Sequence, residues 1–170
     1  MHPLRSQKGF TLLLAALVST IVLALGAAIY GLVVKELALS SLGRDSQFAF
    51  FAADTGAECA LYWDIRHNYF DTVAPVGVVA PDPRCAEQSF VATGRSTSYP
   101  YTMAFQIDAG GYCTNVSVMK CDGPITTDGT CSPVVPAQIH TLIHADGYSA
   151  SCATLTTKAR VLQRSVELRY

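Results

Sequence analysis

From Phe10 to Val34, 25 consecutive residues carry no charged side chain. As a helix rising 1.5 Å per residue, that run is about 37 Å long. The hydrocarbon core of a bilayer is about 30 Å thick, so the run is long enough to span one with some tilt. Gly26 and Gly31 weaken a helix in water but are tolerated in lipid. Arg5 and Lys8 precede the run, whereas Lys35 and Glu36 cancel behind it. The positive-inside rule therefore predicts a single-pass protein with a cytoplasmic N-terminus and an extracytoplasmic C-terminal domain.

No proline interrupts positions 4 to 74, and apolar residues continue past the run at helical spacing. Phe48, Ala52, Thr55, Cys59 and Tyr62, widened by Phe51 and Ile65, predict an amphipathic helix with that stripe buried. Small residues at 49, 52, 53 and 57 permit close approach of a partner layer. The pattern predicts one nearly continuous helix from about Phe10 to His67. Its membrane half covers 10–34 and its amphipathic continuation 35–69.

Three fates of the N-terminal segment compete. It is a plain anchor, a secretory signal cut near Ala24-Leu25-Gly26-Ala27, or an anchor trimmed before the apolar run. A signal peptide's apolar region is typically about 7–15 residues, and this one continues to Val34.

The junction Lys8-Gly9-Phe10-Thr11-Leu12-Leu13 resembles the site recognised by prepilin peptidase in type IV pilins and pseudopilins. The resemblance implies that residues 1–9 are a cytoplasmic leader. It implies cleavage between Gly9 and Phe10, and methylation of the new Phe10 amine. Most major pilins carry Glu at the fifth position after the cut, where it pairs with a neighbour's amine during assembly. Here that position is Leu14. An acid at the centre of a membrane helix costs roughly 2.5–3.5 kcal/mol on insertion scales. Leu14 avoids that cost and forgoes the pairing, as in minor pilins of the PilX kind and the tip pseudopilin of type II secretion.

The stretch from Arg44 through Phe48-Ala49-Phe50-Phe51-Ala52-Ala53-Asp54-Thr55-Gly56 to Glu58 resembles the PilX-like pattern of Arg followed by Ala-Phe-Tyr-Ala-Ala-Glu-Ala-Gly, with Asp54 and Thr55 as departures. The implied function is a non-enzymatic minor, tip or assembly-priming subunit of a pilus or secretion pseudopilus. The implied partners are other pilin subunits through the N-terminal helix, prepilin peptidase, an assembly platform and membrane lipid. The implied destination is the pilus or cell surface. Adhesion, motility, DNA uptake and secretion are all compatible with it. The alternative is a single-pass anchored extracytoplasmic binding protein unrelated to pili.

Residues 70–170 form the expected head. The chain's six cysteines, Cys59 on the helix and Cys85, Cys113, Cys121, Cys131 and Cys152 in the head, contain no C-x-x-C. In an exported domain such a set predicts disulfides rather than a zinc ribbon. Six cysteines allow 15 pairings. Cys113 and Cys121, at opposite ends of one expected strand, would stand about 27 Å apart, too far for a bridge. Cys121–Cys131 and Cys59–Cys85 are two of the open alternatives.

Pro75, Pro81 and Pro83 mark a loop. Tyr101, Met103, Phe105 and Ile107 alternate with polar or small residues as in a half-buried strand, and Ala109-Gly110-Gly111 turns it into a returning strand to Cys121. Asp122 to Pro136 reads as a loop, Gln138 to Ala145 as a strand, and Lys158 to Tyr170 as a last strand. The predicted class is α+β, a long N-terminal helix packed on a small antiparallel sheet, as pilins have.

Chemistry finds little footing. The net charge of −1, with no basic stripe, does not suggest nucleic acid as a partner. There is no G-x-S-x-G, P-loop or dinucleotide fingerprint, so no catalytic residue and no cofactor is expected. His140 and His144 fall on an expected strand, where four-residue spacing does not form a zincin pair, and no metal is expected. Asp122-Gly123 and Asp128-Gly129 read as turns before calcium ligands. Asn115-Val116-Ser117 fits a glycosylation sequon, and Glu58 and Asp64 read as solvated charges.

Overall fold

The computed structural model describes residues 8–71, 82–132 and 138–170. The expected loop prolines Pro75 and Pro81, and the end of the Asp122–Pro136 loop, lie outside them. One helix, α1 (Lys8–His67), is followed by β1 (Arg84–Cys85), β2 (Gln88–Ser89), β3 (Tyr101–Ala109), β4 (Tyr112–Cys121), β5 (His140–Tyr148), a 3-10 turn at Cys152–Thr154, and β6 (Gln163–Arg169). The chain forms two compact units that divide between Gly43 and Arg44. The division falls inside the 35–69 stretch expected as one continuation, so the part of α1 from Arg44 belongs with the sheet.

The helix ends where Asn68 adopts φ 47°, the left-handed cap that Asn tolerates. Its N–H bonds the Asp64 carbonyl at 2.9 Å, and the Tyr69 N–H bonds the Trp63 carbonyl at 3.1 Å. Arg66 and His67 in the last turn suit the negative end of the helix dipole.

Strands β3, β4, β5 and β6 form an antiparallel meander in chain order. Gly110 and Gly111, at φ 61° and 87°, make the two-residue turn between β3 and β4, a conformation that needs positive φ at both positions. The register sets Met103, Val118, Ile143 and Leu168 in one row, and Phe105, Val116, Ala145 and Val166 in the next. These rows face α1, and alternate residues face away, as period-two geometry requires. The helix and antiparallel sheet make an α+β fold. Strand β5 starts two residues later and ends three later than expected. The last strand begins only at Gln163, so Lys158 to Leu162 lie outside it.

The buried side of α1 in the head consists of Ala49, Ala52, Ala53, Gly56, Ala57, Ala60, Trp63 and Asp64. This corrects the expected stripe. Phe51, Tyr62 and Ile65 are exposed, and Phe48 is half-buried against the Tyr112 ring at 4.7 Å. Backbone proximity explains the reversal: the helix lies so close to the sheet that only small side chains fit between them. A methyl on Gly147 would overlap the Ala49 carbonyl and the Ala53 amide, and one on Gly56 would come within 2.8 Å of Val116 and 2.9 Å of Thr114. Beyond Ala60 an aromatic cluster of Trp63, Tyr69, Phe70, Phe90 and Phe105 fills the core, in which Phe90 stacks on Phe105 at 4.1 Å.

Candidate assembly helix and its cross-linked head

In the first unit, α1 offers an apolar surface on which no other described residue packs. The helix is long and apolar enough to cross a membrane. Phe10 is 71% exposed, and Leu14 (53%), Leu17, Ile21, Leu25, Ile29 and Leu32 are also exposed. Two hydroxyls bond within the helix: Ser19 Oγ donates to the Ala15 carbonyl at 2.7 Å and Thr20 Oγ1 to that of Leu17 at 2.8 Å. Both bonds stay within the helix, as suits a lipid-exposed segment.

Lys8, Gly9 and Phe10 of the junction are part of α1. Residues 1–7 of the expected leader lie outside the described residues. Leu14 sits one turn further on, as an outward apolar side chain.

In the second unit three disulfides tie the layers together. Cys59 on α1 joins Cys85 in β1 (Cα–Cα 5.9 Å), Cys113 in β4 joins Cys152 in the 3-10 turn (4.6 Å), and Cys121 at the end of β4 joins Cys131 (5.8 Å). Cys113 and Cys121 do not pair with each other. The Cys113–Cys152 bond could not be chosen from spacing, because it depends on where the chain returns after β5. There the Cys113 N–H donates to the Ala150 carbonyl at 2.7 Å, which brings the two cysteines together. The first bond is reinforced one turn along α1, where Trp63 Nε1 donates to the Arg84 carbonyl at 3.0 Å.

Asp64 is buried rather than solvated, while Glu58 is exposed. Lys120, at an inward position of β4, meets the Asp64 Oδ2 at 2.5 Å and donates to Thr141 Oγ1 at 2.9 Å. Tyr170 completes the cluster. Its hydroxyl donates to the same Asp64 oxygen at 2.6 Å, and its backbone exchanges two hydrogen bonds with Thr141. Burial, and then the adjoining Asp64 carboxylate, push the Tyr170 pKa up. The sequence alone could not reveal this site, since its members lie on α1, β4, β5 and the residue after β6.

The outward side of α1 in this unit exposes Phe50, Phe51 (61%), Tyr62 and Ile65. A shallow hollow of about 410 Å³ opens there, lined by Ser46, Gln47, Phe50, Phe51 and Arg164. Arg164 donates to Ser46 Oγ at 2.7 Å, and Arg160 pairs with Asp45 at 3.2 Å, so β6 and its approach hold the start of this helical stretch.

The remaining candidates resolve into structural roles. His140 and His144 share one strand face at about 13 Å, four strand residues apart and too far for one ion. Asp128 accepts bonds from the Thr126 and Thr130 hydroxyls and the Thr130 amide, which hold its carboxyl below the usual range, and Gly129 follows at φ 79°. That is a turn in which three donors converge on Asp128 Oδ1. Cys121, Asp122 and Cys131 lie together, but both sulfurs belong to one disulfide and offer no thiolate. Asn115 lies within β4, in the middle of the sheet rather than on a loop.

No family model matches this chain, and neither a curated protein nor a solved structure does.

Proposed function

We propose that this chain is a non-enzymatic minor subunit of a type IV pilus or secretion pseudopilus, placed at the tip or used to prime assembly. The observation that carries the reading is the Gly9–Phe10 junction directly ahead of an uncharged run, on a helix that continues to His67. A cut there would leave the apolar helix intact as an anchor. The same exposed surface would then serve twice, against lipid before assembly and against the helices of other subunits afterwards. Within the head, α1 also exposes Phe50, Phe51, Tyr62 and Ile65. Removing the segment from lipid is costly, so assembly requires matching apolar helices and a separate ATP-driven motor. Leu14 supports the minor role, because no carboxylate stands there to pair with a neighbour's amine. The disulfides suit an oxidising extracytoplasmic destination for the head.

The test is N-terminal mass spectrometry of the membrane-embedded protein after co-expression with a prepilin peptidase. A start at a methylated Phe10 is expected. An unprocessed Met1 would replace the pilin reading with a simple anchored binding protein, and a start near Ala27 would mean a secreted head.

A further inference from the structure

The sheet face turned away from α1 carries an ordered row of polar groups. Gln106, Asn115, Asp146 and Ser165 stand side by side across β3, β4, β5 and β6. Part of this row, with Thr93, Ala104, Ser117 and the 78% exposed Val91, lines an open hollow of about 550 Å³. That lies within the range of roughly 300–1,000 Å³ found for small-molecule sites.

Its polar groups are held in place from one side. Asp146 Oδ1 accepts bonds from Ser165 Oγ, from Gln163 Nε2 at 2.8 Å and from His144 Nε2 at 3.3 Å. All three donors converge on that one oxygen, and Asp146 Oδ2 has no donor among the described residues. Burial alone would raise the Asp146 pKa, but the bonds from Ser165 and Gln163 and the neighbouring His144 outweigh it and keep the carboxylate ionised. Gln106 Nε2 donates to Asn115 Oδ1 at 2.7 Å, which orients both amides. Gln106 Oε1 and Asn115 Nδ2 then have no partner among the described residues.

We propose that this hollow binds a neutral sugar unit, with Asp146 Oδ2 and Gln106 Oε1 accepting from its hydroxyls and Asn115 Nδ2 donating to a hydroxyl oxygen. A vicinal diol offers donors and acceptors at the spacing of adjacent side chains, and Val91 and Ala104 supply apolar walls for its C–H groups. The donor set fits other ligands poorly. No Lys, Arg or His lines the hollow, so nothing there would neutralise a phosphate or carboxylate. A calcium ion takes six to eight oxygens. Here one carboxylate offers a single vacant oxygen, and the Asn115 oxygen is occupied. The proposal is independent of whether the chain enters a filament.

The test is saturation-transfer-difference NMR on the full chain in a zwitterionic, sugar-free detergent. The probes are methyl glycosides of glucose, galactose, mannose and N-acetylglucosamine. At least one is expected to receive saturation. Asp146→Asn should abolish the transfer. Gln106→Ala, which removes an exposed side chain, should weaken binding about five- to tenfold, the effect of losing one hydrogen bond. Thr102→Ala, on the same face outside the hollow, should bind as the parent does. Unchanged Trp63 fluorescence melting would show that the variants are folded. Absence of transfer to all four probes overturns the proposal, as does parental binding by a folded Gln106→Ala protein. So does a response to calcium chloride or spermidine in place of the sugars.

Discussion

Neutralising one member of the Asp64–Lys120 pair should unfold the head far more readily than neutralising both. At 2.5 Å the two charges attract by about 7 kcal/mol at an effective dielectric constant of 20. Desolvating each ion opposes that gain by several kcal/mol, so the pair itself adds little over a neutral substitute. The single variants differ in kind. Lys120→Met leaves the Asp64 carboxylate buried with only the Tyr170 hydroxyl, and Asp64→Asn leaves the Lys120 ammonium buried with Thr141 and a neutral amide. Each should cost about 3–5 kcal/mol. At about 4 °C per kcal/mol for a head of this size, that is a fall in Tm of roughly 12–20 °C. Asp64→Asn/Lys120→Met should return to within about 1 kcal/mol of the parent, because the amide still accepts from Tyr170 and no charge is left buried. Trp63 is the single tryptophan, adjoins Asp64 and is buried, so its fluorescence follows the melting of this region directly. Single variants that each lose under 1 kcal/mol would refute the reasoning. So would a double variant that loses the sum of the two.

Other consequences follow from the same packing. Gly147→Val should cost at least about 3 kcal/mol, read by denaturant melting, because the side chain would occupy the space of the Ala49 carbonyl and the Ala53 amide on α1. Replacing Cys113 and Cys152 by Ala releases partners 39 residues apart and should cost about 4 kcal/mol. The Cys121–Cys131 pair, 10 apart, should cost about 3 kcal/mol, and thermal melts of the two double variants give the order. Tyr101 is buried and its hydroxyl donates to the Phe70 carbonyl at 2.6 Å; burial first, then the charge of Tyr99 and Asp71, raise its pKa above the ordinary 10.0. A group with a raised pKa stabilises the fold fully below its unfolded value and loses that contribution as pH climbs. Melting temperature should therefore fall as pH passes above about 10. Tyr101→Phe should flatten that part of the profile while lowering stability at neutral pH.

The extent of α1 was legible because it rests on local rules. An uncharged run, no proline from position 4 to 74 and helical spacing extend it unbroken, and the helix ends at His67 where expected. The β3–β4 hairpin was legible for the same reason: strict alternation on one side, and two glycines at the only place a tight turn could sit. The buried side of α1 was misjudged because hydrophobicity was read without distance. Aromatic residues marked one stripe, while Gly147 drew the helix backbone onto the sheet and left room only for Ala49, Ala53, Gly56 and Ala57.

Chain order and side-chain chemistry thus determined a membrane-length helix, a cysteine-bearing β-rich head and the junction at Gly9–Phe10. Tertiary structure alone decided which cysteine meets Cys113, that Asp64 is buried against Lys120 and Tyr170, and that Gln106, Asn115 and Asp146 form one row. Local propensities act over a few residues, whereas these groups lie up to 106 positions apart, as Asp64 and Tyr170 do. Only sheet register and the approach of α1 bring them within bonding distance.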